Sequence, residues 1–171
     1  MFGASPLEIM AMDAMLKGQV FCQAFTYSAL FLTGTGTALA ANGTTIVPIQ
    51  ITADSDFISQ ELNLVSFTAA DTPEVNPDYT LLMTINGSGR QLMDQAQSVN
   101  NLCGNFFDNR VPNHLPFPYL IQANNTISVQ LINRSAVAAN RVDVSMIGFK
   151  VYYLSNPDGS PTTRQQVFHT L

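Results

Sequence analysis

From Phe117 to Asn133 the chain reads FPYLIQANNTISVQLIN, and its apolar side chains alternate on either side of an Asn-rich break. Phe117, Tyr119 and Ile121 alternate before Ala123-Asn124-Asn125, and Ile127, Val129 and Leu131 alternate after it. A period of two sends successive side chains to opposite faces of an extended chain, so this stretch predicts two β-strands joined by a turn. Asn suits the turn because it tolerates left-handed backbone angles and bonds its own backbone. The same period recurs at Phe21, Phe25, Tyr27, Ala29 and Phe31, at Val47, Ile49, Ile51 and Ala53, and at Tyr79, Leu81, Met83 and Ile85. About seven or eight such strands with short turns predict an all-β chain, an antiparallel β-sandwich that is jelly-roll-like, with a short N-terminal α-helix.

Several positions refine that expectation. Pro48 cannot donate to a ladder, which predicts an edge strand or a bulge. Between Phe57 and Phe67 the apolar phase shifts from Ile58, Leu62 and Leu64 to Val65 and Phe67, as one extra residue near Leu64 would cause. Gly34-Thr35-Gly36 and Asn42-Gly43 mark turns, the latter a hairpin signal, and Asn86-Gly87-Ser88-Gly89 is a tight turn into Arg90–Met93. Residues 94–116 hold no sustained period and predict a long connection, or a short strand or helix around Gln95–Leu102. Val142–Tyr153 is the last long strand, apolar on both faces from Met146 onward as in the middle of a covered sheet. The polar tail after Asn156–Pro161 is either mobile or laid along a neighbour. No repeat of solenoid or propeller period is present.

Ser5-Pro6-Leu7-Glu8 has capping-box spacing with Pro at the first helical position, and Gly18 follows as a stop, so Pro6–Lys17 is a predicted helix of about three turns. Its apolar residues Leu7, Ile9, Met10, Met12, Met15 and Leu16 leave little polar face, and these six are the candidate interface residues. Two placements satisfy them: a subunit contact, which Met side chains suit because they adapt their shape, or a plug on the open end of the chain's own sandwich. The division is then a helical arm over 1–18, a sandwich domain over 19–154 and a C-terminal tail over 155–171.

Charged residues make up only 11% of the 171, against about 25% in an average globular chain. Mixed charge normally keeps a surface solvated, so this deficit points to a chain that covers much of its outside with other subunits, a homo-oligomer. A neutral surface rich in Asn, Gln, Ser and Thr is the alternative. Seven scattered basic residues and a net charge of −5 assemble no phosphate-binding face, which argues against nucleic acid and against an anionic membrane. Glu8 and Asp13 interrupt the N-terminus and no apolar run is long enough to span a bilayer, so the expectation is synthesis in a reducing cytoplasm with Cys22 and Cys103 as thiols. The sequons at Asn42, Asn86, Asn124 and Asn133 then read as Asn-rich turns.

No residue pattern announces an enzyme. His114 and His169 stand in or beside loops with no nucleophile spacing around them, and no Cys or His cluster has metal-ligand spacing. Asp54 and Asp56 would share a face on a strand, but paired acids at a turn are more simply solvated or capping groups. Asn86–Arg90 lacks the Lys-Ser/Thr ending of a phosphate loop. There is no Trp to stack on a sugar, and the tyrosines fall mostly on strand faces that a core claims. No cofactor, metal or small-molecule substrate is expected.

Four motifs occur in order: Ile51-Thr52-Ala53-Asp54-Ser55-Asp56-Phe57, Gly87-Ser88-Gly89-Arg90-Gln91-Leu92-Met93, Ala123-Asn124-Asn125-Thr126-Ile127-Ser128-Val129 and Ile147-Gly148-Phe149-Lys150-Val151-Tyr152. Together they resemble small auxiliary head proteins of tailed bacteriophages, of the cement or decoration type, across roughly residues 20–154. That resemblance implies a jelly-roll-like protein on the outside of the virion capsid, partnered by the major capsid protein and by its own copies, which helps the lattice resist internal pressure. It carries no binding residues, and the N-terminal helix lies outside it. A connector, tail or fibre component and a carbohydrate- or host-surface-binding module are the alternatives.

Overall fold

A computed structural model of the chain describes residues 4–74, 77–86, 92–93, 95–103, 113–156 and 158–168, with backbone alone over 113–117. The strands are β1 (Val20–Leu32), β2 (Thr44–Gln50), β3 (Asp56–Phe67), β4 (Tyr79–Asn86), β5 (Gln97–Ser98), β6 (Asn113–Ile121), β7 (Thr126–Asn133) and β8 (Arg141–Tyr153). Among the described residues three helices accompany them: α1 (Pro6–Leu16), α2 (Val99–Leu102) and α3 (Arg164–Val167). One antiparallel sheet has the order β1-β8-β3-β6 and the other β2-β7-β4-β5. Consecutive strands therefore change sheet at every connection except β4 to β5. This order of the eight described strands in two facing sheets is a jelly roll.

Alternation fills the space between the sheets. Tyr27, Ala29 and Phe31 of β1, Leu62 and Leu64 of β3 and Val142, Val144 and Met146 of β8 meet Val47, Ile49, Leu81, Met83, Val129 and Leu131 of the facing sheet. Tyr27 packs edge-on against Phe57 with ring centroids 4.9 Å apart. As expected, β8 is central, paired with β1 on one side and β3 on the other, and β2 with Pro48 is an edge.

Several local expectations change. The stretch 117–133 does contain two strands and a left-handed Asn124 (φ +63°), but β6 and β7 lie in opposite sheets, and β6 begins at Asn113. Likewise Asn42 is left-handed (φ +50°), yet the turn carries the chain from one sheet to the other and forms no hairpin. Left-handed turn chemistry reverses the chain either way. Ala53 is exposed in a turn, because β2 ends at Gln50. Of the long connection, Gln97–Ser98 is a strand and Val99–Leu102 a helix, the shorter-element reading; residues 104–112 lie outside the described residues. So does the turn at 87–91, although Leu92 N–H donates to Met83 O (3.2 Å), which brings the chain back beside β4. The tail docks on its own domain, with Val167 and Phe168 at 4% and 3% exposure.

The extra residue in β3 sits earlier than Leu64. Pairing with β8 slips between Ser59 and Glu61, leaving Gln60 opposite no partner residue, and the buried inward phase changes there from Phe57 to Leu62 and Leu64. The bulge pushes β3 backbone toward β8, and Gly148 makes room for it. A Cβ at Gly148 would collide with the Ile58 carbonyl oxygen and stand 3.1 Å from Ser59 Cα. Glycine inside a central strand marks such a close approach.

Where the sheet meets the tail, the carboxylate of Asp56, 1% exposed, accepts four hydrogen bonds. Arg164 Nε and Nη2 donate at 2.5 and 2.6 Å, Tyr153 OH at 2.6 Å and the Ala123 N–H at 2.8 Å. Asn133 makes a comparable lock: buried, it donates through Nδ2 to Ala40 O and Val137 O and accepts from Ser135 N–H. That burial denies its sequon to any glycan.

Two predictions follow from these positions. Gly148→Ala costs about 3 kcal/mol or prevents folding, because backbone must move, whereas Gly36→Ala, with open space around its Cβ position, changes a denaturant midpoint little. Burial, and then the hydrogen bond and charge of Asp56, push the Tyr153 phenol well above its ordinary 10.0. A raised folded value gives stability that is intact below pH 10 and lost as the pH climbs past it toward the folded value. Chemical denaturation from pH 9 to 11 therefore shows a fall in stability that Tyr153→Phe makes shallower, while a parallel slope in both proteins contradicts it.

Candidate interaction surface

Helix α1 starts as its sequence requires. Ser5 Oγ accepts from Glu8 N–H (3.3 Å), Glu8 returns a carboxylate to Ser5 N–H (2.6 Å), and Gly18 closes the far end at φ +67°. Glu8 also accepts from Gln60 Nε2, the bulge residue of β3. Leu7, Ala11 and Ala14 are buried against Val20, Ile58 and Val151 on the outer face of the β1-β8-β3-β6 sheet, beside Val167 and Phe168 of the tail. The helix therefore lies on the outer face of its own domain's sheet.

This docking divides the six interface candidates. Leu7 is buried in the chain's own cluster at 8% exposure and Met10 is half-buried. Ile9 (56%), Met12 (59%), Met15 (44%) and Leu16 (89%) remain exposed. At about 100° of turn per residue, Ile9, Met12 and Leu16 lie opposite Leu7, Ala11 and Ala14, so the helix is apolar on both its inner and its outer side. Asp13 and Lys17 bound one side of that outer stripe and pair with each other at 2.5 Å. Between helix and sheet opens a groove of about 270 Å³ lined by Ala11, Met12, Met15, Cys22 and Phe149. Phe21, in phase with Tyr27 and Phe31 along β1, is 53% exposed at the start of the strand and lies outside the packed core.

The other residues singled out in the sequence part company. Asp54 is exposed in a turn, its acidity strengthened first by the Thr52 hydroxyl (2.5 Å), while Asp56 is buried and paired with the half-buried Arg164, so the two acids do not share a site. Lys150, which pattern reading passed over, is 5% exposed; it donates to Thr52 Oγ1 (2.8 Å), lies 4.3 Å from the Phe25 ring and stands 3.7 Å from Asp54. Desolvation works against its charge, but Tyr27, Asp54 and Tyr152 outweigh that and hold its pKa above the ordinary value. Both cysteines are free thiols: burial raises Cys22 under α1 and pushes Cys103 in the core up to about 12. Among the described residues no group of three potential ligands gathers for a metal, and no helix is long and apolar enough to cross a membrane. His169 and the side chain of His114 lie outside the described residues.

A second groove, of about 790 Å³, runs between β6 and α3, lined by Tyr119, Gln122, Asn125, Arg164, Gln165 and Phe168 among others. Among its described lining residues the one charged group, Arg164, is committed to Asp56.

No family model matches the chain, and no curated protein matches it in sequence. Solved structures similar to it include dimeric latent PorU from Porphyromonas gingivalis, 9% identical with a TM-score of 0.36 over 81% of this chain and 13% of that one. The VP2 subviral particle of infectious bursal disease virus is 13% identical with a TM-score of 0.29 over 84% of this chain and 39% of VP2. The chain thus spans well under half the length of either protein.

Proposed function

We propose that this chain is a virion structural protein of the cement type, which binds the outside of a capsid in many copies and stabilises the lattice. The observation that carries the reading is the outer side of α1, where Ile9, Met12 and Leu16 stand exposed on a helix already anchored by its inner side. An apolar ridge held in place this way is spent on contact with another protein. The low charge of the chain fits the same use, since a chain with 11% charged residues gives up little charge solvation when its surface is covered. The ordered motifs that resemble auxiliary head proteins of tailed bacteriophages supply the kind of particle, with the major capsid protein and further copies of this chain as partners. Mechanically, modest contacts repeated over the lattice tie capsid subunits together by multivalency. The role is non-enzymatic.

The outer ridge can be tested without disturbing the fold. Deleting residues 1–18 also strips the cover from Ile58 and Val151, so loss of binding in that truncation is ambiguous. Ile9→Glu with Leu16→Glu changes only exposed positions and leaves the circular dichroism spectrum intact. The expected outcome is antibody labelling of wild-type protein over the whole head in electron micrographs, at a copy number comparable to the capsid protein, with labelling lost in the double variant. Label confined to one vertex would transfer the chain to a connector, tail or fibre, and particles without label would end the virion reading.

A further inference from the structure

The edges of the two sheets are not guarded alike. Strand β2 carries Pro48, β6 carries Pro116 and Pro118, and β5 has two residues, each of which limits strand addition. Strand β1 is the remaining edge and has none of these defences. Its 13 residues, VFCQAFTYSALFL, include no proline, no glycine and no charged side chain, and its register with β8 runs from Val20 to Leu32 without a bulge.

The direction of its free backbone groups follows from that register, because residues that exchange hydrogen bonds with a neighbouring strand alternate along an antiparallel pair. At the two ends of β1 the bonds to the β8 side involve odd positions, Leu154 N–H to Gln19 O and Thr33 N–H to Asn140 O, both 2.9 Å. Even positions therefore turn their N–H and C=O away from the sheet. Leu32 shows this directly: its N–H reaches Thr37 Oγ1 and its carbonyl accepts from Thr35 N–H in the turn beyond. Cys22, Ala24, Thr26, Ser28 and Leu30 have no backbone partner on that side among the described residues. Such a row on a long, uncharged edge is a template for another strand.

Two features select the strand that fills it. The free row is symmetric about Thr26, so a second β1 turned by a two-fold axis there sets Cys22 against Leu30, Ala24 against Ser28 and Thr26 against its equivalent, and every free N–H meets a free C=O. The same turn covers the exposed large apolar side chains of β1, Phe21 (53%) and Leu30 (39%). Leu30 of each copy comes beside Cys22 of its mate, at the mouth of the groove that Cys22, Met12 and Met15 line under α1, and Phe21 comes opposite Phe31 of its mate. Phe25 and Tyr27 face each other across the contact, and aromatic cross-strand pairs add to sheet stability. A strand of another protein would satisfy the row alone; β1 of a second copy satisfies the row and brings the leucine to the groove. We infer that two copies of this chain join edge to edge through antiparallel β1–β1 pairing centred on Thr26, which makes their β1-β8-β3-β6 sheets one continuous sheet. The contact holds whether or not the chain sits on a capsid.

The test uses full-length protein in sedimentation velocity. Wild type associates as dimers. Thr26→Pro removes an outward N–H without touching a bond to β8, leaves circular dichroism unchanged and weakens association about tenfold or more. The Thr26 side chain is exposed, so Thr26→Lys and Thr26→Glu also keep the fold, and should the proline variant not fold these two decide alone. Each sets like charges opposite one another at the two-fold axis and dimerises less than wild type, whereas their mixture dimerises because lysine then faces glutamate. Wild type that stays monomeric overturns the contact and leaves the edge to a strand of another protein. Undiminished dimers in the folded variants, or a mixture that stays monomeric, overturn it as well. The capsid reading stands or falls separately, on whether the same preparations label purified particles.

Discussion

A carboxylate with 1% of its surface exposed has to have its charge met inside the protein, and Asp56 has it met by a guanidinium, a phenol and a backbone amide together. Those partners come from the end of β8, from the β6–β7 connection and from α3, so one side chain fixes the relation of the last central strand, a sheet-crossing turn and the tail. With Arg164 held there, Val167 and Phe168 close over the outer sheet face next to Leu7. The seat of α1, and with it the outward aim of Ile9, Met12 and Leu16, depends on that closure.

The jelly-roll order places heavy demands on distant contacts. Val20 pairs with Tyr153 and Leu32 with Arg141, so β1 acquires its partner only when β8 exists. Such pairings carry a large loop-closure entropy and favour slow folding. Two devices keep the edges and the interior consistent. Pro48 on β2 and Pro116 and Pro118 on β6 remove donors from edge strands, which discourages unplanned strand addition. Gly148 lets the bulged β3 approach β8 closely enough to keep both halves of β3 in register with the core.

What was legible in the sequence is what short-range physics decides. The capping box at Ser5 and Glu8, the stop at Gly18, the inward faces of β4 and β7 and the central position of β8 all follow from neighbours within a few residues. Sheet membership was not legible, because Asn42 and Asn124 take the left-handed angles a hairpin would need while delivering the chain to the opposite sheet. The bulge was misplaced because Ile58 is covered on the outer face by α1, so an apolar residue there gave no sign of which side it faced. Asp56 and Arg164 are separated by 108 residues, and no local signal joins them. Of the six apolar positions on α1, spacing alone could have separated Leu7 from Ile9, Met12 and Leu16; which side met the sheet required the sheet.

Helix α1 is held to its own domain by its inner side, and the proposed role needs its exposed outer side to be covered by another protein. Oxidative footprinting of the methionines reads both sides at once. In dilute isolated protein Met12 is oxidised readily and Met83 and Met146, at 0% and 1% exposure, are not. On assembled particles the proposed role predicts that Met12 becomes protected while Met83 and Met146 stay as they were. Met12 equally reactive in both states would mean that nothing covers the ridge, and would contradict the proposed role.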